Sequence, residues 1–413
     1  MLSSLIMKKS IILLLLAGIA ATGCRKPYDP PAISKPNGYL VVEGTINSGA
    51  DSTYITLSRT INISSKAPIS PELHAIVSVQ GDQNTSYPLT ERGNGKYSCA
   101  GLNLDNTHQY RLSIKTTDNK QYQSAYVPVL NSPPIDSVSW DTKGALNVPG
   151  VNIYVSTHDP GGKVLYYRWT YNETWAFHAN FGSCCYTNGD TILPRNNATM
   201  NITDCWQSDT ASNIILGSSA KLAKDVIFKA PITQVISTAE KLETTYSILV
   251  TQYALSADAY NFYTNVKLTS QGLGSIFDAE PSQINGNITC VSNPAEPVIG
   301  YIGVGATTKQ RIFITTAQLP SWVAVPFYPG CSLYELGNPP HVCCSYNAGG
   351  FNEVNEYINY LSSSFFSGVS SLPLIPVAPI GLPGQPPLGY TATERQCADC
   401  TLRGTNKKPA FWP

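Results

Sequence analysis

Short alternating runs of β-forming residues, each cut off by turn chemistry, restrict this chain to mostly-β solutions. Residues 39–46 and 52–58 are the clearest pair, separated by the turn cluster Asn47-Ser48-Gly49-Ala50-Asp51. Further runs at 75–80, 96–100 and 110–115 are punctuated by Gly93-Asn94-Gly95 and Asp118-Asn119. Short strands at this spacing point to a β-sandwich over residues 38–130, with Pro128, Pro133 and Pro134 marking a linker. A second series follows at 135–140, 151–156, 164–171, 226–228 and 245–252. Within 164–171, Leu165, Tyr167, Trp169 and Tyr171 share one face by period two, and Tyr166 and Arg168 point the other way. This alternation is expected to end near Trp175, and residues 180–210, rich in Asn, Cys and Thr, read as a long crosslinked loop.

The best helix spans 256–268. Ser256 can cap it, Asp258 suits the positive end of the helix dipole, and Ala259, Phe262, Tyr263 and Val266 form one apolar stripe ended by Gly272. Strand-like runs at 297–304 and 311–315 come next, and 352–361 reads as a second short helix. Between 371 and 390, six prolines sit among Leu, Ile and Val, which excludes a helix or a central strand. That stretch reads as an extended, exposed apolar loop, with Leu374, Ile375, Ile380 and Leu382 as a candidate partner surface. The expected fold is mostly β: tandem immunoglobulin-like or fibronectin-like β-sandwich domains, one or two short helices and a disulfide-rich C-terminal part. The expected divisions are 1–23, 24–37, 38–130, 131–320 and 321–413, the last being Cys- and Pro-rich.

Residues 1–23 read as a signal peptide. Lys8 and Lys9 precede an apolar run over 11–21, too short for the roughly 20 residues that span a bilayer. Met7 is a more usual signal opening than Met1. Thr22-Gly23-Cys24 resembles a bacterial lipobox, although Ala21 stands where Leu is usual. An acylated Cys24 would anchor the chain in membrane lipid, since two or three acyl chains hold firmly where one does not. No Asp follows Cys24, which favours the outer membrane and leaves open which face the protein occupies. Pro27, Pro30, Pro31 and Pro36 make residues 24–37 an extended tether.

Charge narrows the function classes. Lys plus Arg and Asp plus Glu both number 27, so the chain lacks the basic excess that a nucleic-acid binder needs. Charged residues make up 13%, against about 25% in typical proteins, while 42% hydrophobic residues exclude intrinsic disorder. The polar surface is therefore built from Ser, Thr, Asn and Tyr.

Ten cysteines remain besides Cys24. Cys99 stands apart, as a buried thiol or a link across domains, and Cys184, Cys185, Cys205, Cys290, Cys331, Cys343, Cys344, Cys397 and Cys400 crowd the C-terminal half. An envelope location permits disulfides, and many connectivities fit this spacing. The neighbours Cys184-Cys185 and Cys343-Cys344 are each expected to reach two different partners, because a bond between neighbours strains the peptide. Zinc is the competing reading, since Cys397-Ala-Asp-Cys400 has ligand spacing and His341 adds a donor beside Cys343 and Cys344. A zinc signature needs a second such knuckle, and the sequence has one, so disulfides are favoured and no cofactor or metal is expected.

No HExxH, GxSxG, P-loop or EF-hand pattern occurs. His158-Asp159-Pro160-Gly161-Gly162 reads as a turn rather than a catalytic motif. Asp278 and Glu280 are the carboxylates a glycosidase reading would use, across ~5–9.5 Å of cleft. Tyr166 and Trp175 are candidate ligand- or partner-facing aromatics, Tyr166 by stacking on a sugar ring or packing on a partner. Ser52, Ser137, Thr191 and Thr210 lie in short patterns resembling envelope O-glycosylation sites.

Several stretches together resemble the envelope lipoproteins grouped as domain-of-unknown-function family 4249. They are residues 153–160 with 166–169 and 173–175, 246–253, 273–278 with Gly286-Asn287, and 298–301. Cys397-Ala-Asp-Cys400, Arg403-Gly404 and Phe411-Trp412-Pro413 complete the set. The resemblance implies an envelope lipoprotein often encoded beside a TonB-dependent outer-membrane transporter, and it implies no reaction. The expected function is a non-enzymatic outer-membrane lipoprotein that assists such a transporter in capturing substrate, its ligand left open. A glycan-binding or glycan-degrading protein and a structural or adhesion lipoprotein are the alternatives.

Overall fold

The computed structural model describes residues 38–61, 70–143, 148–188, 192–271, 286–336, 374–385, 387 and 389–413. Cys24, Thr191, the carboxylates Asp278 and Glu280, the sequence-predicted helix at 352–361, and His341, Cys343 and Cys344 lie outside them.

The N-terminal body grows from the first predicted hairpin. Leu40–Ile46 pairs antiparallel with Thr53–Arg59, and period-two alternation buries Leu40, Val42, Ile46, Ile55 and Leu57 while Tyr54 points out. Ile76–Gly81, Gln109–Lys115 and Gln121–Ser124 build the opposing face. Ser86–Glu91 pairs with Ile76–Gly81 on one side and Lys96–Cys99 on the other, carrying the chain between the two faces. Tyr97, Leu112, Ile114 and Tyr122 fill the space between them.

This body is finished by residues far along the chain. Ile288–Cys290 adds antiparallel to Gln121–Ser124, and Ile299–Gly300 and Gly303–Val304 add in parallel to Leu40–Ile46. The sequence reading assigned these residues to the second unit; their hydrogen bonds join them to the first. Gly300 makes the close approach possible, because at φ +149° a Cβ there would sit 2.3 Å from the Val42 carbonyl oxygen. The Asn287 side chain imitates a strand neighbour, accepting from the Ile302 N–H and donating to its carbonyl, each at 2.9 Å.

The second body packs two sheets face to face. One holds Ile135–Asp141, Gly150–His158 and Val226–Ile236. The other runs Asp204–Thr210, Tyr166–His178, Thr245–Leu255 and Thr308–Thr315, with Ile215–Ser218 beside the first half of Tyr166–His178. Tyr167, Trp169 and Tyr171 are buried between the sheets as the alternation predicts, against Val151, Ile153 and Val155 opposite. The central strand continues to His178, beyond the expected end near Trp175. The region 180–210 is only partly loop: Cys185–Thr187 and Ile192–Pro194 form a hairpin, and Asp204–Thr210 is an edge strand of the main sheet.

The C-terminal part corrects the extended-loop reading of 371–390. Leu374–Ile380 is a strand paired with Gly389–Glu394, which also pairs with Tyr334–Leu336. It is an edge strand with a register shift between Pro376 and Ala378, the setting that tolerates proline. Its free edge is covered: Ser183 Oγ donates to the Pro376 carbonyl at 2.7 Å and the Cys184 N–H to that of Val377 at 2.9 Å. Disulfides Cys205–Cys400 and Cys331–Cys397 tie this part together. Arg403 clamps Glu240 through two 2.8 Å hydrogen bonds while lying over Phe177 and Phe327, so the tail is held against the second body.

Glu296 sits at the seam between the inserted strands and the N-terminal body. Lys120 Nζ and the Tyr122 hydroxyl donate to it at 2.8 and 2.7 Å, and Arg59 lies 3.7 Å away. Burial alone would raise its pKa, but these hydrogen bonds and the Lys120 and Arg59 charges hold the carboxyl below its ordinary value. A pKa lowered by folding stabilises above the unfolded value of about 4.3, and that contribution fades as pH falls through the lower folded value. Glu296→Gln is expected to cost about 2 kcal/mol at neutral pH. The gap to the parent chain should close in acid, as read by urea unfolding across pH; a gap constant through the acid range would refute the role of the charge.

Candidate functional site

Where the two bodies meet, several stretches of chain line a cleft of about 840 Å³. Its walls come from residues 125–130, the start of Tyr166–His178, the end of Thr245–Leu255, the helix Ala257–Gln271 and residues 301–304. The helix begins where the sequence predicts. Ser256 Oγ accepts from the Ala259 N–H at 3.1 Å and lies 3.1 Å from the Tyr301 hydroxyl, so the cap also ties the helix to the inserted strands. The helix runs three residues beyond the predicted end. Ala259 and Phe262 are its buried residues, and Tyr263 and Val266 are half-buried.

The lining is aromatic. Tyr126, Tyr166, Tyr253, Phe262, Tyr263 and Tyr301 all contribute to it. Tyr166 leans on Tyr260 with ring centroids 4.9 Å apart, and Phe262 meets Tyr301 at 5.7 Å. The Arg168 guanidinium lies between the Tyr253 and Tyr263 rings, 4.5 and 4.6 Å from their centroids, and fixes strand and helix to each other. Its Nε is buried and has no hydrogen-bond partner among the described residues. Arg111 backs Tyr126 in the same way at 4.6 Å. The hydroxyls of Tyr126, Tyr166, Tyr253 and Tyr263 make no hydrogen bond among the described residues. The lining charges are one of each sign, Lys163 and Asp258. Such walls present flat apolar faces with unused polar tips, suited to an amphipathic, uncharged ligand.

Of the aromatics singled out from sequence, Tyr166 belongs to this cleft and Trp175 does not. Trp175 is 6% exposed, buried under Lys241, so it is no surface contact. Lys241 pairs with the buried Glu173, which also accepts from Tyr246 at 2.5 Å; burial, and next the Glu173 charge, push the Tyr246 phenol pKa up. Leu374, Ile375 and Ile380 are half-buried in their paired strand, and Leu382 alone of that set stands out, 76% exposed in the turn. Sequence reasoning missed Tyr126, Tyr253, Phe262, Tyr263 and Tyr301 as one group. The stripe at 259, 262, 263 and 266 was a legible signal, but it read as packing alone.

His158 stands 2.8 Å from Asp136, which holds its pKa above the ordinary value by hydrogen bond and charge. Asp159 accepts from the N–H groups of Gly161, Lys163 and Val164, so this segment is a closed turn. Cys397 and Cys400 enter separate disulfides, with Cys331 and Cys205. Cys184, Cys185 and Cys290 depart from the expectation and are free thiols, as is Cys99. The Cys184 and Cys185 sulfurs are 3.3 Å apart, and burial, then the neighbouring Cys184, push the Cys185 thiol up to about 12. Among the described residues no three His, Cys, Asp or Glu side chains gather as metal ligands, and no helix is long and apolar enough to cross a membrane. Non-reducing peptide mapping of the full chain is expected to recover Cys205–Cys400 and Cys331–Cys397, with a chelator leaving the unfolding temperature unchanged. Stoichiometric bound zinc would overturn this assignment.

Comparison with known proteins bears on the same residues. The family model described as Domain of unknown function (DUF4249) matches residues 25–311, a span that contains every wall of the cleft and Cys205 but ends before Cys331, Cys397 and Cys400. No curated protein matches the chain. The chain belongs to the DUF4249 family.

Proposed function

We propose that this protein is a non-enzymatic outer-membrane lipoprotein, held by an acylated Cys24, that captures a ligand and works beside a TonB-dependent transporter. The observation that carries the reading is the aromatic cleft between the two bodies. Its volume falls in the ~300–1,000 Å³ range that encloses most of a small ligand, and its walls are positioned by rigid sheet and helix. Asp258 is the one carboxylate among the described lining residues, an arrangement suited to holding a molecule rather than to chemistry between two carboxylates. The lipobox-like Thr22-Gly23-Cys24 and the Pro-rich tether that follows supply the anchor and reach.

Affinity purification of the lipidated protein from native membranes tests the partnership. An outer-membrane transporter is expected among the recovered proteins, and Cys24→Ala should release the chain from the membrane fraction. Recovery of the protein alone would sink the transporter role.

A further inference from the structure

We infer that the cleft between the two bodies is a saccharide site, with Tyr126, Tyr166 and Tyr263 as its stacking and hydrogen-bonding groups. The inference rests on the capture reading above and names the class of ligand. A sugar ring has two kinds of surface: a face of C–H groups and a rim of hydroxyls. Its recognition needs flat apolar surfaces bordered by small polar groups that both donate and accept. Tyrosine provides both in one side chain. Here four tyrosines line the cleft with hydroxyls unused among the described residues, and Asn261 and Asn265 on the adjoining helix surface add amides. A lipid or other wholly apolar ligand would leave these hydroxyls buried without partners, a cost of about 1–3 kcal/mol for each group. A strongly charged ligand of either sign would find one lining charge of its own sign, Lys163 or Asp258.

The platform is also preorganised. Arg168 holds Tyr253 and Tyr263, Arg111 holds Tyr126, and Tyr260 supports Tyr166, so little ring motion has to be frozen on binding. Tyr126 is 38% exposed and belongs to the segment leaving the N-terminal body, whereas Tyr166 and Tyr263 belong to the second. A ligand that fills the cleft would therefore touch both bodies.

The test is a printed array of neutral and acidic oligosaccharides probed with the purified full chain, followed by calorimetric titration of the strongest hit. Tyr126→Ala is expected to weaken binding about tenfold or more, the equivalent of about 1.4 kcal/mol, with the unfolding temperature little changed. Tyr263→Phe and Tyr166→Phe keep the rings, so a several-fold loss there reports the hydroxyls rather than misfolding. An array without a hit, or a hit indifferent to all three variants, overturns the inference. A Tyr126-dependent interaction with a peptide library alone overturns it too. The two readings fail separately: transporter recovery without saccharide binding removes the ligand class and leaves the capture role beside a transporter, and saccharide binding without a transporter keeps the ligand class and removes the transporter role.

Discussion

The second body depends on one amide. Gln252 is fully buried at the middle of Thr245–Leu255. Its Oε1 accepts from Trp169 Nε1 at 2.9 Å. Its Nε2 faces Ser132 Oγ, the Pro133 carbonyl and Thr157 Oγ1 at 2.9–3.1 Å. One side chain thereby joins the largest core residue, the opposite sheet and the segment arriving from the N-terminal body. A buried amide so satisfied contributes little net energy, but losing it would orphan several groups at about 1–3 kcal/mol each. Its value lies in register. The observed meeting of the sheets and the linker leaves both polar atoms of the Gln252 amide paired.

That fixed junction explains why the cleft is a shaped space rather than a gap. Leu130 donates to the Val304 carbonyl at 2.8 Å and Ser132 to that of Ala306 at 2.9 Å, so the outgoing and returning connections are themselves paired. The cleft lies beside this double crossing, with the helix Ala257–Gln271 as its outer wall. Buried polar contacts set the geometry; the tyrosines are mounted on it.

How much of this was legible in the sequence depends on the range of the forces involved. Local patterns read well. The alternation through Tyr167, Trp169 and Tyr171, the turn at Asp159 and the Ser256 cap are each set by residues a few positions apart. Pairings across long separations did not read. Both 39–46 and 297–304 read as strands, but nothing in either marks the parallel pairing of Ile299–Gly300 with Leu40–Ile46, which spans about 250 residues of sequence. Leu374–Ile380 reads as loop because its prolines mask a strand that only edge placement permits. Trp175 reads as a contact because composition cannot say that Lys241 covers it. Of the site, Tyr166 is legible by its outward phase and the rest is not, since segments far apart in the chain supply it. Ten cysteines carry no connectivity in their order, and the nested pairs 205–400 and 331–397 follow from where the tail docks.

The insertion of residues 286–304 has a temporal meaning as well. A chain is made from its N-terminus, and domains usually fold in that order. Here the sheet that emerges first cannot complete itself, because the edge of Leu40–Ile46 waits for Ile299–Gly300 and Gly303–Val304. The second body must therefore be largely synthesised before the first is closed. Its final strand, Thr308–Thr315, comes directly after the inserted ones. The last strands of both bodies are thus delivered within a few residues of each other, so the N-terminal sheet is closed by nearly the same stretch of chain that completes the second.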